Sequence, residues 1–267
     1  MSTVLRMRDV VLLPWPDHPL VLDGASDGLD VEVWEEGEPE PAQAVLDDVV
    51  LYVPAYQGGD AALEAVRRMP RLRAIQCLWA GVDGFWPFVP PGVSLHNAAG
   101  VHDASTAELA LALMLARLRR LDGFARHRGE WNHGFTPALA DRRVLIVGYG
   151  RIGAAIDRRL AGFEVDVVRV ARTARETEGV TVHGFDDLPA LLPEADVVVI
   201  ICPLTAQTRG MVDAGFLGRM KDGALLVNVA RGAIVDTGAL VAEVGSGRLD
   251  AALDVTDPEP LPADHPL

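Results

Sequence analysis

The run Val144-Leu-Ile-Val-Gly-Tyr-Gly-Arg-Ile-Gly153 constrains this chain more than any other stretch. Four apolar residues, Val144 to Val147, lead into a G-x-G-x-x-G spacing at Gly148, Gly150 and Gly153, and Ala154 to Ala161 continues with helical periodicity. The spacing alone is weak; a buried strand before it and a helix after it give each glycine a task. Gly148 permits a tight turn, Gly150 lets the backbone approach a pyrophosphate, and Gly153 lets the helix lie close on the strand. The helix start, with Arg151 and Ile152, offers N–H groups and the positive end of the helix dipole to phosphates.

Composition narrows the rest. At 267 residues the chain suits two domains of ~150 residues or fewer. Hydrophobic residues make up 49%, enough for sizeable cores, and the formal net charge is −14. A nucleic-acid or anionic-membrane binder would present a basic face, so neither partner is expected. An anionic substrate must instead meet local positive groups. Cys77 and Cys202 lie far apart beside apolar residues; they read as buried reduced thiols of a cytoplasmic protein, and no metal-ligand spacing involves them. The N-terminus lacks the apolar core of a signal peptide. The longest apolar run, Val197 to Leu204, is far short of the ~20 residues that span a bilayer and fits a buried parallel strand.

Along the chain, Val10–Leu13, Val31–Trp34, Val49–Val53 and Leu72–Leu78 read as strands, with a helix near Ala61 to Arg68. This alternation predicts a parallel sheet. The acidic, turn-rich stretch from Glu35 to Pro41 reads as an exposed loop. A change comes at Asn97-Ala-Ala-Gly100, so residues 1–96 form the first domain and 97–267 the second. Ser105 to Leu121 is an Ala/Leu-rich helix crossing between them, with Ser105 and Glu108 spaced as a capping box. From Arg142 the pattern restarts. Strands are expected at 165–170, 180–182, 196–202, 224–229 and 250–255, and helices at 188–192, 214–220 and 237–244. The expected fold is α/β: a doubly wound dinucleotide-binding domain of Rossmann type plus a smaller substrate domain.

Ligands in open α/β sheets sit at the carboxyl ends of strands. Arg231, Asp254 and Glu259 follow predicted strands and fall where such a site belongs. With these residues in place, the chain resembles the D-isomer-specific 2-hydroxyacid dehydrogenase family over nearly its whole length, most densely from Asn97 to Pro262. Val227-Asn-Val-Ala-Arg-Gly-Ala-Ile-Val-Asp236 is similar to the family's signature around its catalytic Arg, and Asp254 to Glu259 fits its D-V-x-x-x-E-P pattern. The resemblance implies a flavodoxin-like substrate domain and hydride transfer between a nicotinamide cofactor and a small 2-oxo or 2-hydroxy acid of the D series, in a homodimer. It implies that Arg231 binds the substrate carboxylate and polarises the keto oxygen, a task suited to a forked, permanently charged guanidinium. Glu259 would support a histidine partner by raising its pKa. Ala80 and Gly81 would offer backbone N–H groups to the carboxylate, although Gly81 also reads as a turn glycine. Thr106 would touch the nicotinamide side or simply cap its helix, and Asp254 would accept from the nicotinamide amide. Pro203, Thr208, Val229 and Ala230 would line the cofactor. Trp79 and Trp86 could set the side-chain pocket or serve as ordinary core aromatics.

The chain departs from the family at two points. The family's catalytic histidine lies in a Pro-His segment beyond the Glu, and the sequence given runs to Asp264-His-Pro-Leu267. His265 is a weak substitute; His96 and His102 read as polar loop or cap residues, and His18, His127, His133 and His183 lack a constellation. The expectation is a truncated chain with weak or no dehydrogenase activity, since loss of a general acid–base costs ~10²–10⁴ in rate. The second departure concerns the cofactor. NAD binders carry an acid about 20 residues past the glycines, where this chain has Ala171 followed by Arg172, Thr173 and Arg175. Two guanidiniums without a carboxylate favour NADP(H) over NAD(H). Competing readings are a non-catalytic dinucleotide sensor on the same fold, or formate or phosphoglycerate oxidation.

Overall fold

The computed structural model describes residues 8–16, 29–56, 59–127, 129, 131, 134–177 and 179–267. The chain divides into two compact units, Met1–His102 and Asp103–Leu267, so the division follows His102, where the sequence reading set it after residue 96.

Unit 1 holds strands β1 (Val10–Leu13), β2 (Asp30–Val33), β3 (Val49–Tyr52), β4 (Ala74–Gln76) and β5 (Ser94–His96), with helices α1 (Gln43–Leu46) and α2 (Gly59–Ala65). They form a parallel sheet in the order β2-β1-β3-β4-β5, the flavodoxin-like winding. β1 is apolar throughout and fully buried because both sheet faces are covered: Val10 and Leu12 face one cluster, Val11 and Leu13 another. β5 was not expected. It is a three-residue edge strand with two exposed polar residues, too short and polar to show a period.

Unit 2 begins with α3 (Asp103–Leu118) and α4 (Leu121–Arg126). Its sheet contains β6 (Arg143–Val147), β7 (Asp166–Val170), β8 (Arg175–Thr177), β9 (Val180–His183), β10 (Val197–Ile200), β11 (Leu225–Asn228) and β12 (Asp250–Leu253). Helices α5 (Arg151–Leu160), α6 (Leu188–Leu191), α7 (Ala214–Arg219) and α8 (Thr237–Gly245) alternate with the strands. The seven strands run in the order β12-β11-β10-β6-β7-β9-β8, parallel except for β8 against β9. The chain winds outward from β6 through β7 and then returns to β10 on β6's other side, so the switch in strand order lies between β6 and β10. Continuous apolar strands follow from burial on both faces. Val144 and Ile146 of β6, with Val197 and Val199 of β10, pack beneath α3 and α5; Leu145, Val147, Val198 and Ile200 face the opposite cluster.

α3 belongs to this packing. Ala107, Ala110, Leu111 and Met114 form the buried i, i+3, i+4, i+7 stripe of an amphipathic helix. Its start corrects the expected capping box. The helix begins at Asp103, so Ser105 sits inside the first turn, and the Glu108 carboxylate accepts from Arg159 Nη2 at 3.2 Å. An acid in the first turn suits the helix dipole. Asp213 and Asp236 cap α7 and α8, accepting from Phe216 N at 2.8 Å and Ala239 N at 2.9 Å. Among the described residues, no helix is long and apolar enough to cross a membrane.

At the opposite end of the sheet, Asp196 accepts from Arg143 N at 3.0 Å and Lys221 Nζ at 2.7 Å, with Arg142 Nη1 at 3.5 Å. Desolvation pushes its pKa up, but the Lys221 and Arg143 bonds and the Arg142 charge outweigh it and hold the carboxyl below its ordinary value. A depressed carboxyl pKa adds stability that is complete above the unfolded-state value and lost as pH falls through the folded-state value. Asp196→Asn should therefore cost about 1–2 kcal/mol at neutral pH, and urea melts of the two proteins should converge as the solution is acidified.

Candidate active site

The glycine turn joins β6 to α5, and its three glycines meet three different surroundings. Gly148 has φ +117°, and a Cβ there would stand 2.3 Å from Cys202 N, beyond the end of β10. At Gly153 a Cβ would lie 2.7 Å from the Gly148 carbonyl oxygen, whereas at Gly150 nothing lies within 4 Å. The outer glycines are thus demanded by the protein's own backbone, and Gly150 opens on empty space. Gly148 N and Tyr149 N both donate to Val170 O at 2.8 Å, fastening the turn to the end of β7. The first-turn N–H groups of α5, at Arg151, Ile152 and Gly153, have no acceptor within the helix by geometry. An uncrowded glycine beside such donors, at the switch in strand order, fits a pyrophosphate. The Arg151 side chain turns to α3, where Nε donates to Asp103 Oδ2 at 3.0 Å. Ile152 is half-buried against the core.

Past β7, Ala171 is buried while Arg172 and Thr173 are exposed. Arg175, read from sequence as a 2′-phosphate ligand past β7, lies on the edge strand β8, and its Nη2 donates to Tyr149 O at 2.7 Å. Beyond β10, Pro203 is exposed, but Thr208 is only 4% exposed. The Thr208 hydroxyl donates to Pro203 O at 2.7 Å and accepts from Thr205 N at 2.8 Å, so it shapes this loop from within.

β11 ends in Asn228, 1% exposed, which sequence reasoning overlooked. Its Oδ1 accepts from Ala230 N at 3.1 Å and its Nδ2 donates to Arg231 O at 3.0 Å, a side-chain-made turn that bends Val229 and Ala230 inward and presents Arg231. Both intervening residues are buried. The half-buried Arg231 donates from Nη1 to Ala230 O at 2.8 Å. Gly232 was also missed: a Cβ on it would lie 1.9 Å from Thr256 O. Thr256 in turn donates its backbone N–H to Glu259 Oε2 at 3.4 Å, and Asp254 N donates to Asn228 O at 3.0 Å. Arg231, Asp254 and Glu259 are therefore held by one knot of backbone built on Asn228, Gly232 and Thr256. Asn228 and Gly232 flank the arginine in sequence, and that adjacency was the available signal. Desolvation, then the Glu259 charge, pushes the Asp254 pKa up.

In unit 1, Ala80 and Gly81 lie in the turn after β4, where Asn97 Nδ2 donates to Ala80 O at 2.8 Å and Ala98 N to Trp79 O at 3.1 Å. Trp79 packs with Tyr56 and Phe85, ring centroids 5.4 and 5.9 Å away, and Trp86 is 64% exposed. Thr106 is half-buried in the first turn of α3. Of the histidines, His96 Nε2 bonds to Ser94 Oγ, His102 Nε2 to Leu78 O, and His183 Nδ1 lies 3.5 Å from Asp187. His127 Nδ1 contacts Gly123 O and His265 Nδ1 accepts from Leu267 N; His18 and His133 lie outside the described residues. Among the described residues no histidine is bonded to Glu259, and no group of three or more His, Cys, Asp or Glu could hold a metal ion. Both cysteines are buried, which pushes each thiol up to about 11.

A mostly parallel sheet with an open glycine turn at its switch point, and an arginine presented two strands away, is the arrangement of a Rossmann-type nucleotide-binding unit. The chain belongs to the D-isomer specific 2-hydroxyacid dehydrogenase family, whose NAD binding domain matches residues 111–267. It is 35% identical to glyoxylate reductase of Aeropyrum pernix over 93% of this chain and 79% of that protein. Two solved structures are similar. One is a D-isomer specific 2-hydroxyacid dehydrogenase from Xanthobacter autotrophicus in complex with NADPH and MES (31% identity, TM-score 0.76, covering 98% of this chain and 85% of that one). The other is an NADPH-dependent glyoxylate/hydroxypyruvate reductase from Sinorhizobium meliloti in complex with NADP and malonate (29%, 0.78, 97% and 84%).

Proposed function

We propose that this chain transfers hydride between NADP(H) and a small 2-oxo acid, glyoxylate or hydroxypyruvate, to give the D-2-hydroxy acid. The observation that carries this reading is Arg231, presented on the Asn228–Gly232 turn of the same sheet whose β6–α5 turn fits a dinucleotide. The relatives' reductase activities support it. Gly148, Gly150, Arg151, Ile152 and Gly153 would cradle the pyrophosphate, with Thr106, Pro203, Thr208, Val229, Ala230 and Asp254 around the rest of the cofactor. Arg172, Thr173 and Arg175 would receive a 2′-phosphate. The bound nicotinamide supplies or takes up the hydride. Arg231 would hold the oxo acid's carboxylate and draw charge toward the keto oxygen. Glu259 is suited to hold an imidazole protonated for delivery to that oxygen.

With no histidine bonded to Glu259 among the described residues, residues 1–267 by themselves should turn over ~10²–10⁴ more slowly than an ordinary enzyme of this kind. A second reading is a dinucleotide-binding protein without turnover. One experiment separates them: NADPH and NADH oxidation with glyoxylate, hydroxypyruvate, formate and phosphoglycerate, beside direct titration of both cofactors. A measurable glyoxylate-dependent rate with NADPH preferred supports the reductase. Tight NADPH binding with no oxidation on any acid supports the sensor, and a clear NADH preference removes the 2′-phosphate assignment. A cytoplasmic homodimer completes the proposal; light scattering checks the oligomer.

A further inference from the structure

Beneath the glycine turn lies a polar network that neither the hydride chemistry nor the pyrophosphate requires. Tyr149, the residue between the first two glycines, sends its hydroxyl to Asp157 Oδ2 on α5 at 2.8 Å. Asp157 is gripped from the other side by Arg169 of β7, Nε to Oδ2 at 2.7 Å and Nη2 to Oδ1 at 3.0 Å. Arg169 Nη1 also donates to Val167 O at 2.9 Å, and its guanidinium lies 5.9 Å from the Tyr149 ring centroid. The pair is largely shielded, with side-chain exposures of 21% and 15%. A bidentate, partly desolvated Arg–Asp pair is stiffer than a surface ion pair.

The consequence appears at Tyr149's other end. Its N–H is fixed to Val170 O at 2.8 Å and its hydroxyl to Asp157, so its carbonyl has little freedom. That carbonyl receives Arg175 Nη2 at 2.7 Å. Arg175 sits on an edge strand and is itself exposed, where a long side chain would otherwise sample many rotamers. By contrast, Arg172 makes no side-chain bond to another described residue.

We infer that Tyr149, Asp157 and Arg169 are positioning residues that set Arg175 for the 2′-phosphate of the adenosine ribose, so that discrimination between phosphorylated and unphosphorylated dinucleotide is decided by side chains that do not touch it. This rests on the NADP(H) reading above. The anchored guanidinium keeps its remaining N–H donors for phosphate and loses less conformational freedom on binding.

The test is isothermal titration of the 267-residue protein with NADPH and with NADH. The readout is the ratio of the two dissociation constants in wild type, Tyr149→Phe, Asp157→Asn, Arg175→Ala and the Tyr149→Phe/Arg175→Ala double variant. Tyr149→Phe deletes one hydroxyl and leaves the turn's backbone bonds, so it guards against a fold that Asp157→Asn disrupts. Each should reduce the preference for NADPH by about three- to tenfold, the worth of one hydrogen bond. Tyr149→Phe should have no further effect once Arg175 is alanine. A merely structural network would weaken both cofactors alike and leave the ratio untouched, which overturns the inference. If wild type prefers NADPH, Arg175→Ala abolishes the preference and Tyr149→Phe retains it, the inference alone fails. If wild type shows no preference, the NADP(H) reading fails with it.

Discussion

Arg231→Gln should lower kcat/KM for glyoxylate by about 10²- to 10³-fold, the range seen when a preorganised donor to a developing oxyanion is removed. Glutamine keeps a polar end but is shorter, and it removes the charge and the fork. Arg231 is well prepared for this task. Its backbone is extended, at φ −150° and ψ 141°, its carbonyl is held by Asn228 Nδ2 at 3.0 Å, and one guanidinium nitrogen is spent on Ala230 O at 2.8 Å. A donor already oriented loses little freedom when it meets the transition state. Arg231→Lys restores the charge without the planar pair of donors, so it should recover only part of the loss. NADPH affinity, measured by titration, should stay within about twofold in both variants, because one uniform binding loss would appear in the cofactor constant as well. A glutamine variant that keeps a third of the wild-type kcat/KM would remove Arg231 from the chemistry.

The nucleotide unit was legible in sequence where strict local patterns have one physical solution. A four-residue apolar strand, three glycines and a helix can be read as a turn because each glycine has its own steric cause, and the surroundings of Gly148, Gly150 and Gly153 differ accordingly. The apolar runs at β6, β10 and β11 were legible because burial on both sheet faces removes alternation. What stayed hidden depends on residues distant in sequence. Arg175 was read as a 2′-phosphate ligand, but its place on a strand stayed hidden because β8 is short, polar and antiparallel at the sheet edge. Tyr149, Asp157 and Arg169 are ordinary residues of a turn, a helix and a strand until the sheet brings them together. Thr208 was read as a cofactor contact, yet its buried hydroxyl is engaged by its own loop. Its contribution to a cofactor would come through the shape of that loop. The start of α3 was misjudged because serine is a common cap and an Asp stood two positions earlier.

Gly232→Ala should be nearly as damaging as loss of the arginine beside it, although it removes no functional group. The added Cβ would stand 1.9 Å from Thr256 O, 2.0 Å from Thr256 C and 2.6 Å from Asp257 N, all backbone atoms. No rotamer change relieves such contacts; the Arg231 turn and the loop after β12 must separate by more than an ångström. Overpacking of this kind costs about 1–3 kcal/mol, visible as a lower melting temperature. The larger effect is positional. Arg231 is covalently attached to one side of the contact, and Glu259 is tied through Thr256 N at 3.4 Å to the other. Displacing them by about 1 Å from their working geometry is worth on the order of 10²-fold in rate. The control is Gly218→Ala in α7, where nothing lies within 4 Å of the built Cβ. There a helical glycine gives way to a better helix former, and stability should rise by up to about 1 kcal/mol with turnover unchanged. Gly232→Ala is expected to combine a loss of melting temperature with a drop in kcat/KM far beyond what partial unfolding explains, measured where the protein is still folded. Wild-type rates in that variant would show that the contact with Thr256 yields without moving Arg231, and that the backbone knot does not set the arginine's position.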